Sequence, residues 1–167
     1  MIAIRELPQF EALQEDAKSI PSLDPATVLS FLSILIVAGE VERRMETHFA
    51  RYDLSQARFL VLMLLRRRKD SPATPADLAD GAAVTRATMT GLLDGLEADA
   101  LVERSHRKDD RRMIDVRITK KGLALLDRIL PDHYERISSL MTGLTKAERK
   151  TLTELLAKVR ERLIDAV

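Results

Sequence analysis

VERSHRKDDRRMIDVRITKKG, residues 102–122, sets two short alternating runs around a knot of charge. LVERS (101–105) and MIDVRI (113–118) each alternate apolar and polar residues in the strand period, and HRKDDRR between them has no apolar residue. Two such runs around a polar loop are expected to form a β-hairpin. Residues 101–122 hold eight Lys/Arg against four Asp/Glu, a local balance of +4, whereas the whole chain carries +1. A charged hairpin tip is ordinarily just solvated, and a surface ion pair adds only about 0–1 kcal/mol of stability. Stability therefore gives little reason for Asp110 beside Arg112. An orienting role gives more: a carboxylate can hold a guanidinium in one direction. The narrow minor groove of A·T-rich DNA concentrates negative potential and attracts an inserted arginine. Arg112 is thus expected to enter that groove, aimed by Asp110. Arg107, Lys108 and Arg111 are then placed for phosphates, which give affinity without sequence information.

The residues just upstream fit the same purpose. Thr74 followed by Pro75 reads as an N-cap and first turn of a short helix, PADLADGA. Thr85 then caps RATMTGLLDGLEADA, in which Met89, Leu92, Leu93 and Leu96 recur at i, i+3, i+4 and i+7. That spacing makes one buried stripe. The opposite face then holds Ala87, Thr88, Thr90, Gly91 and Asp94, with Arg86 projecting from the first turn. Alone, this is an ordinary amphipathic helix with a solvated side. Next to a short helix, a turn and a hairpin it becomes the second helix of a winged helix-turn-helix, which enters the major groove. Thr88 and Thr90 can bond base edges or offer a methyl group to thymine. Free N–H groups around Thr85 can hold a phosphate.

Most of the remaining chain reads as helix. Asp24-Pro25 opens a long one to about His48, with Val28, Phe31, Leu32, Leu35, Ile36 and Val41 at helical spacing. Ser55 opens another, with Phe59, Leu62, Met63 and Leu65 inward. Thr119 caps a long helix that Pro131 should kink or split. Thr145 and Glu148 have the capping-box spacing before a stripe of Leu152, Leu155, Leu156, Val159 and Leu163. The stripes of the first and last long helices are too apolar to leave in water, so a second copy of the chain is expected to cover part of them. Packing within one chain is the alternative. The segments expected are an N-terminal arm or extra helix (1–23), a dimerisation helix (24–54), the winged helix-turn-helix (55–118) and C-terminal dimerisation helices (119–167).

Composition excludes several classes. There is no cysteine, which removes disulfides, thiol redox sensing and cysteine-ligated zinc. A net charge of +1 with 32% charged residues means that attraction to nucleic acid must come from local clustering. The N-terminal residues lack a signal-peptide core. Ser30 and Ser33 interrupt the longest apolar segment, so no membrane span is expected and a cytoplasmic protein is. His48, His106 and His133 lie in three separate elements without i, i+4 pairing, so neither a metal site nor any other cofactor is expected. No nucleophile elbow, P-loop or GxGxxG suggests an enzyme.

At this point the chain resembles the MarR family of transcription regulators. The resemblance rests on LADGAAVTRATMTGLLDGLEADALVERSHRKDDRRMIDVRITKKG (78–122), above all on DDRR…V.IT.KG, where Asp110, Arg112, Val116, Thr119 and Gly122 match the wing signature. It extends over roughly residues 25–165. It implies a mostly α fold with a small β-hairpin wing, and an obligate homodimer whose N- and C-terminal helices form the base. By position, Arg112 would be the wing-tip residue in the minor groove and Asp110 its partner, with Arg86, Thr88 and Thr90 on the recognition helix. Gly91 and Gly95 stand where many relatives carry a basic residue, which shifts the expected base contacts onto Arg86 and the wing. Ala100 replaces a usual glycine, which suggests a different helix exit.

The function expected is that of a dimeric, sequence-specific DNA-binding regulator, read as a repressor on a pseudo-palindromic operator. The alternative is a winged helix that binds protein only. The resemblance also implies release by a small aromatic or phenolic acid, with His48, Arg51, Tyr52, Phe59 and Met63 as local candidates. Each of these could equally fill a core or boundary position.

Overall fold

The computed structural model describes residues 8–68, 71–107 and 113–165. Among these, the elements in order are α1 (Phe10–Ala17), α2 (Pro25–Ala50), α3 (Gln56–Arg67), α4 (Pro75–Ala82), α5 (Arg86–Ala98), β1 (Val102–His106), β2 (Ile114–Ile118), α6 (Lys120–Leu140) and α7 (Lys146–Asp165). The fold class is the expected one: mostly helical, with one two-stranded antiparallel wing.

Local chemistry explains the helix starts. Asp24, Ser55, Thr74, Thr85 and Thr119 each accept hydrogen bonds from first-turn amides, which otherwise lack partners. Thr74 with Asp77, and Thr145 with Glu148, form reciprocal capping boxes. Pro131 sits inside α6, yet the helix runs unbroken from Lys120 to Leu140, so the expected split does not occur. Ala100 takes the left-handed conformation itself, with φ 56°. The exit is thus the turn a glycine would make, at a cost of about 1–2 kcal/mol for the alanine.

The core gathers around α3. Val61, Leu62 and Leu65 meet Leu78 of α4, Met89, Leu93 and Leu96 of α5, Val102 and Val116 of the wing, and Leu126 and Ile129 of α6. Met45 and Phe49 at the C-terminal end of α2 close it. β1 pairs with β2 from Val102↔Ile118 to His106↔Ile114. Ala73 adds a further bridge, exchanging backbone bonds with Val116 at 3.2 and 2.8 Å. The turn before α4 is thereby stitched to the wing.

The first half of α2 and all of α7 lie outside this core. Phe31, Leu35, Val37 and Val41 of α2 are exposed, as are Leu152, Leu155, Leu156, Val159 and Leu163 of α7. By length and composition α2 could cross a membrane, which the sequence reading had excluded. Ser30 and Ser33 do not interrupt its apolar face as supposed: their hydroxyls donate back to the carbonyls of Ala26 (2.8 Å) and Leu29 (2.7 Å). Leu13 of α1 is buried, and α1 packs on α2.

Gly122 admits the start of α6 beside the wing. A Cβ there would lie 2.3 Å from the Leu101 carbonyl oxygen and 2.8 Å from Ile118 Cγ1. Gly122→Ala should therefore lower stability by about 1–3 kcal/mol, as overpacking does. A thermal melt matching the unsubstituted chain would contradict that contact.

Candidate nucleic-acid interface

α5 shows water the face that its spacing requires. Met89, Leu93 and Leu96 are buried, while Thr85, Arg86, Ala87, Thr88, Thr90, Gly91 and Asp94 are exposed. The Thr85 hydroxyl accepts from the Thr88 amide at 3.1 Å and lies 2.8 Å from the Thr88 hydroxyl. Thr90 Oγ1 donates to the Arg86 carbonyl at 3.0 Å. Both threonines thus keep their hydroxyls close to the helix. Arg86 makes no ion pair among the described residues.

Two arginines that the sequence reading did not single out hold this helix. Arg104 of β1 lies 2.7 Å from Asp94 and 3.7 Å from Glu97, and its Nη2 reaches the Thr90 carbonyl at 3.4 Å. Arg58 of α3 crosses to Asp99 at 3.1 Å. Gly95 is where that guanidinium passes: a Cβ there would sit 1.8 Å from Arg58 Nη2. Gly95 is therefore a passage for a clamp. Lys121 Nζ caps the end, donating to the Asp99 carbonyl at 2.7 Å. Only their spatial neighbours mark these roles, so no linear signal could have found them.

On the wing, Arg107 pairs with Asp115 across the hairpin at 2.9 Å. Asp115 therefore steadies the base of the tip. Lys108, Asp110, Arg111 and Arg112 fall outside the described residues.

Behind this face, α2 and α6 converge on Asp132. Its carboxylate accepts from the Tyr52 hydroxyl (3.2 Å), lies 3.2 Å from Arg136 Nε and 3.7 Å from Arg51 Nη1, and is 3.5 Å from His48 Nδ1. Burial pulls this carboxyl up, but bonding and charge from Arg136, aided by Tyr52 and His48, leave it below its usual value. His133 comes from a different element than His48, yet its ring stacks on His48 (centroids 5.6 Å apart, 19° between planes) and contacts Phe49 and Phe59. Two histidines expected in unrelated places are thus neighbours. Of the effector candidates, His48, Arg51 and Tyr52 gather at Asp132, and Phe59 stacks on Phe49 at 4.3 Å. Met63 packs against the core instead.

Two hollows flank the stacked imidazoles. One, of about 500 Å³, is lined by Met45, Phe49, Phe59, Leu60, Val84 and His133 among others. The second, of about 410 Å³, lies between α2 and α6 and is rich in arginine.

A sequence model of the MarR family matches residues 54–114. The chain is 36% identical over 160 residues to the HTH-type transcriptional repressor YetL of Bacillus subtilis (strain 168), covering 96% of each protein. The chain belongs to the MarR family. Like the relatives that share its sequence, this MarR-family member is a DNA-binding transcription regulator. Among solved structures it is similar to BpsR of Bordetella bronchiseptica (30% identity, TM-score 0.58, covering 74% of this chain and 98% of that one), whose DNA binding is regulated by 6-hydroxynicotinic acid. It shares the fold of Staphylococcus aureus MepR bound to DNA (20% identity, TM-score 0.71, covering 79% and 94%).

Burial holds the His48 imidazole below its ordinary value against the raising pull of Asp132, with Arg136 adding to the lowering. Burial lowers His133 likewise. The unfolded chain takes up these protons as pH falls through about 6.5, before the folded chain does. Stability from these groups is therefore complete above that value and lost below it. Thermal melts of this MarR-family protein should hold steady from pH 8 to 7, then decline below about 6.5, less steeply in His48→Leu. A melting temperature that climbs on acidification from pH 7 to 5.5 would show that the imidazoles are not buried as described.

Proposed function

We propose that the chain is a homodimeric repressor that acts in the cytoplasm on a pseudo-palindromic operator and is released by a small aromatic acid. The observation that carries this reading is α5: a helix locked by Arg58 and Arg104, with Arg86, Thr88 and Thr90 on its free side. In the proposed complex this face enters the major groove and the N–H groups at Thr85 meet a phosphate. Arg112, aimed by Asp110, enters the minor groove, and Lys108 and Arg111 meet the backbone. Arg107 joins them while staying braced by Asp115. MepR, which has the same fold, forms a complex with DNA, which supports DNA binding as such.

In this reading residues 24–54 and 119–167 form the base of the dimer and residues 55–118 the DNA-binding module, with 1–23 an added arm. The exposed apolar faces of α2 and α7 support it, because each large side chain covered by a second copy contributes about 1.5–3 kcal/mol. A second copy also explains the membrane-like composition of α2 without lipid. The effector is assigned to the hollow walled by Phe49, Phe59 and His133, near Tyr52, His48 and Arg51. Regulation of BpsR by a hydroxylated pyridine acid supports that class of ligand.

Fluorescence anisotropy with duplex from the promoter upstream of the coding region tests the reading. Arg86→Ala and Arg112→Ala should each weaken binding by about tenfold or more, since an arginine–base contact carries about 1–3 kcal/mol. The logarithm of affinity should fall with log salt by about 0.9 per phosphate neutralised. Equal binding by both variants, or a flat salt response, refutes the assignment. A stable dimer that binds no duplex but retains a protein partner points to the protein-binding alternative.

A further inference from the structure

The arginine-rich recess between α2 and α6 is not accounted for by DNA binding or by the aromatic hollow. Its walls come from Arg43, Arg44, Thr47 and His48 of α2, from Arg51 just after it, and from Arg136, Ser139 and Leu140 of α6. Among the described residues, none from α3, α4, α5 or the wing lines it. The His48–His133 stack separates it from the aromatic hollow: His48 faces one and His133 the other, with Met45 touching both.

Charge and hydrogen bonding in the recess are both incomplete. Four arginines line it. Arg43 and Arg44 share one carboxylate, Glu40, and Arg51 and Arg136 share another, Asp132. Two positive charges are therefore left without a counter-charge among these groups. Each guanidinium has five N–H donors in a fork that suits carboxylate or phosphate oxygens in pairs. At the floor lies His48, only 2% exposed. Among the described residues neither of its ring nitrogens has a hydrogen-bond partner, although Nδ1 approaches Asp132 to 3.5 Å. A buried imidazole in that state leaves a donor and an acceptor unsatisfied, which is costly unless a ligand or water completes it.

We propose that this recess is a binding site for a small organic dianion, of the dicarboxylate or phosphate monoester class. One anionic group is held by Arg43 and Arg44 at one rim and the other by Arg51 and Arg136 at the opposite rim, while the His48 N–H donates from below. A phosphate monoester places both charges on one group, drawn to the centre by the same forks. The volume of about 410 Å³ falls within the roughly 300–1,000 Å³ of small-molecule sites. A monoanion leaves one pair of arginines unanswered and binds more weakly.

Isothermal titration calorimetry on the full-length protein, without DNA and at constant ionic strength, tests this with succinate, glycerol 3-phosphate and acetate. One of the two dianions should bind saturably, with about one site per chain and about tenfold tighter than acetate. The tighter dianion identifies the class. The Arg43→Gln/Arg44→Gln double variant should weaken that binding about tenfold, because it removes two forks whose exposed helix pairs contribute little to folding. Arg51→Gln, at the other rim, is the independent second variant and should weaken it several-fold. Leu60→Ala, in the aromatic hollow, should leave it unchanged. Absence of saturable binding by either dianion, including absence because a second copy closes the recess, overturns the proposal. So does acetate binding as tightly as the dianions, or wild-type affinity in both arginine variants. Since no duplex is present, failure here leaves the DNA-binding reading standing, and loss of DNA binding leaves this site untouched.

Discussion

Met89, Leu93 and Leu96 are held almost completely out of water, and that burial determines what α5 can present. Successive residues on a helix are about 100° apart, so exposing Thr88 and Thr90 requires this particular stripe to face inward. Rotating α5 by one residue would drive Thr90 into the core and Met89 into solvent. The ion pairs of Arg58 with Asp99 and of Arg104 with Asp94 add direction to a rotation already set by the core. The wing depends on the same packing, because Leu101 and Val102 bury at the foot of α5 and Val116 pairs with Ala73. α5, the wing and the turn before α4 are therefore packed as one body.

α6 extends that body to the hollows. It begins at Lys120, with Gly122 in its first turn pressed against the Leu101 carbonyl, and its 21 residues span about 32 Å at 1.5 Å each. Its far half carries Asp132, His133 and Arg136. A ligand that moves α2 relative to α6 thus acts on a continuous rod whose other end is packed on the wing. This is the physical link by which an effector site and a DNA-binding face can share one equilibrium, provided the ligand favours one arrangement over the other.

Much of the fold was legible in the sequence because its signals are local. Asp24, Ser55, Thr74, Thr85, Thr119 and Thr145 announce helix starts through bonds to amides two or three residues on. The stripe of α5 and the alternation of the wing need no knowledge of other segments. The exposed face of α5 followed directly. What escaped was non-local. Tyr52 and Asp132 are 80 residues apart in sequence, and nothing in either neighbourhood announces their meeting. His133 read as unrelated to His48 for the same reason, since Phe49, Phe59 and His48 reach it from other segments. Arg58 and Arg104 looked like ordinary surface cations until α5 was set beside them. The serines of α2 misled in the other direction: their polarity is absorbed by their own helix.

The account rests finally on two copies of α5 and its wing reading one duplex at a fixed separation. Selection of a randomised duplex library by the full-length protein, followed by hydroxyl-radical footprinting of the winning sequence, measures this directly. The account predicts an inverted repeat with half-sites about one helical turn, roughly 10 base pairs, apart. Protection should be symmetric and extend into an A·T-rich minor groove on each flank. Enrichment of a single unrepeated site, protection of one flank only, or no enrichment would contradict it.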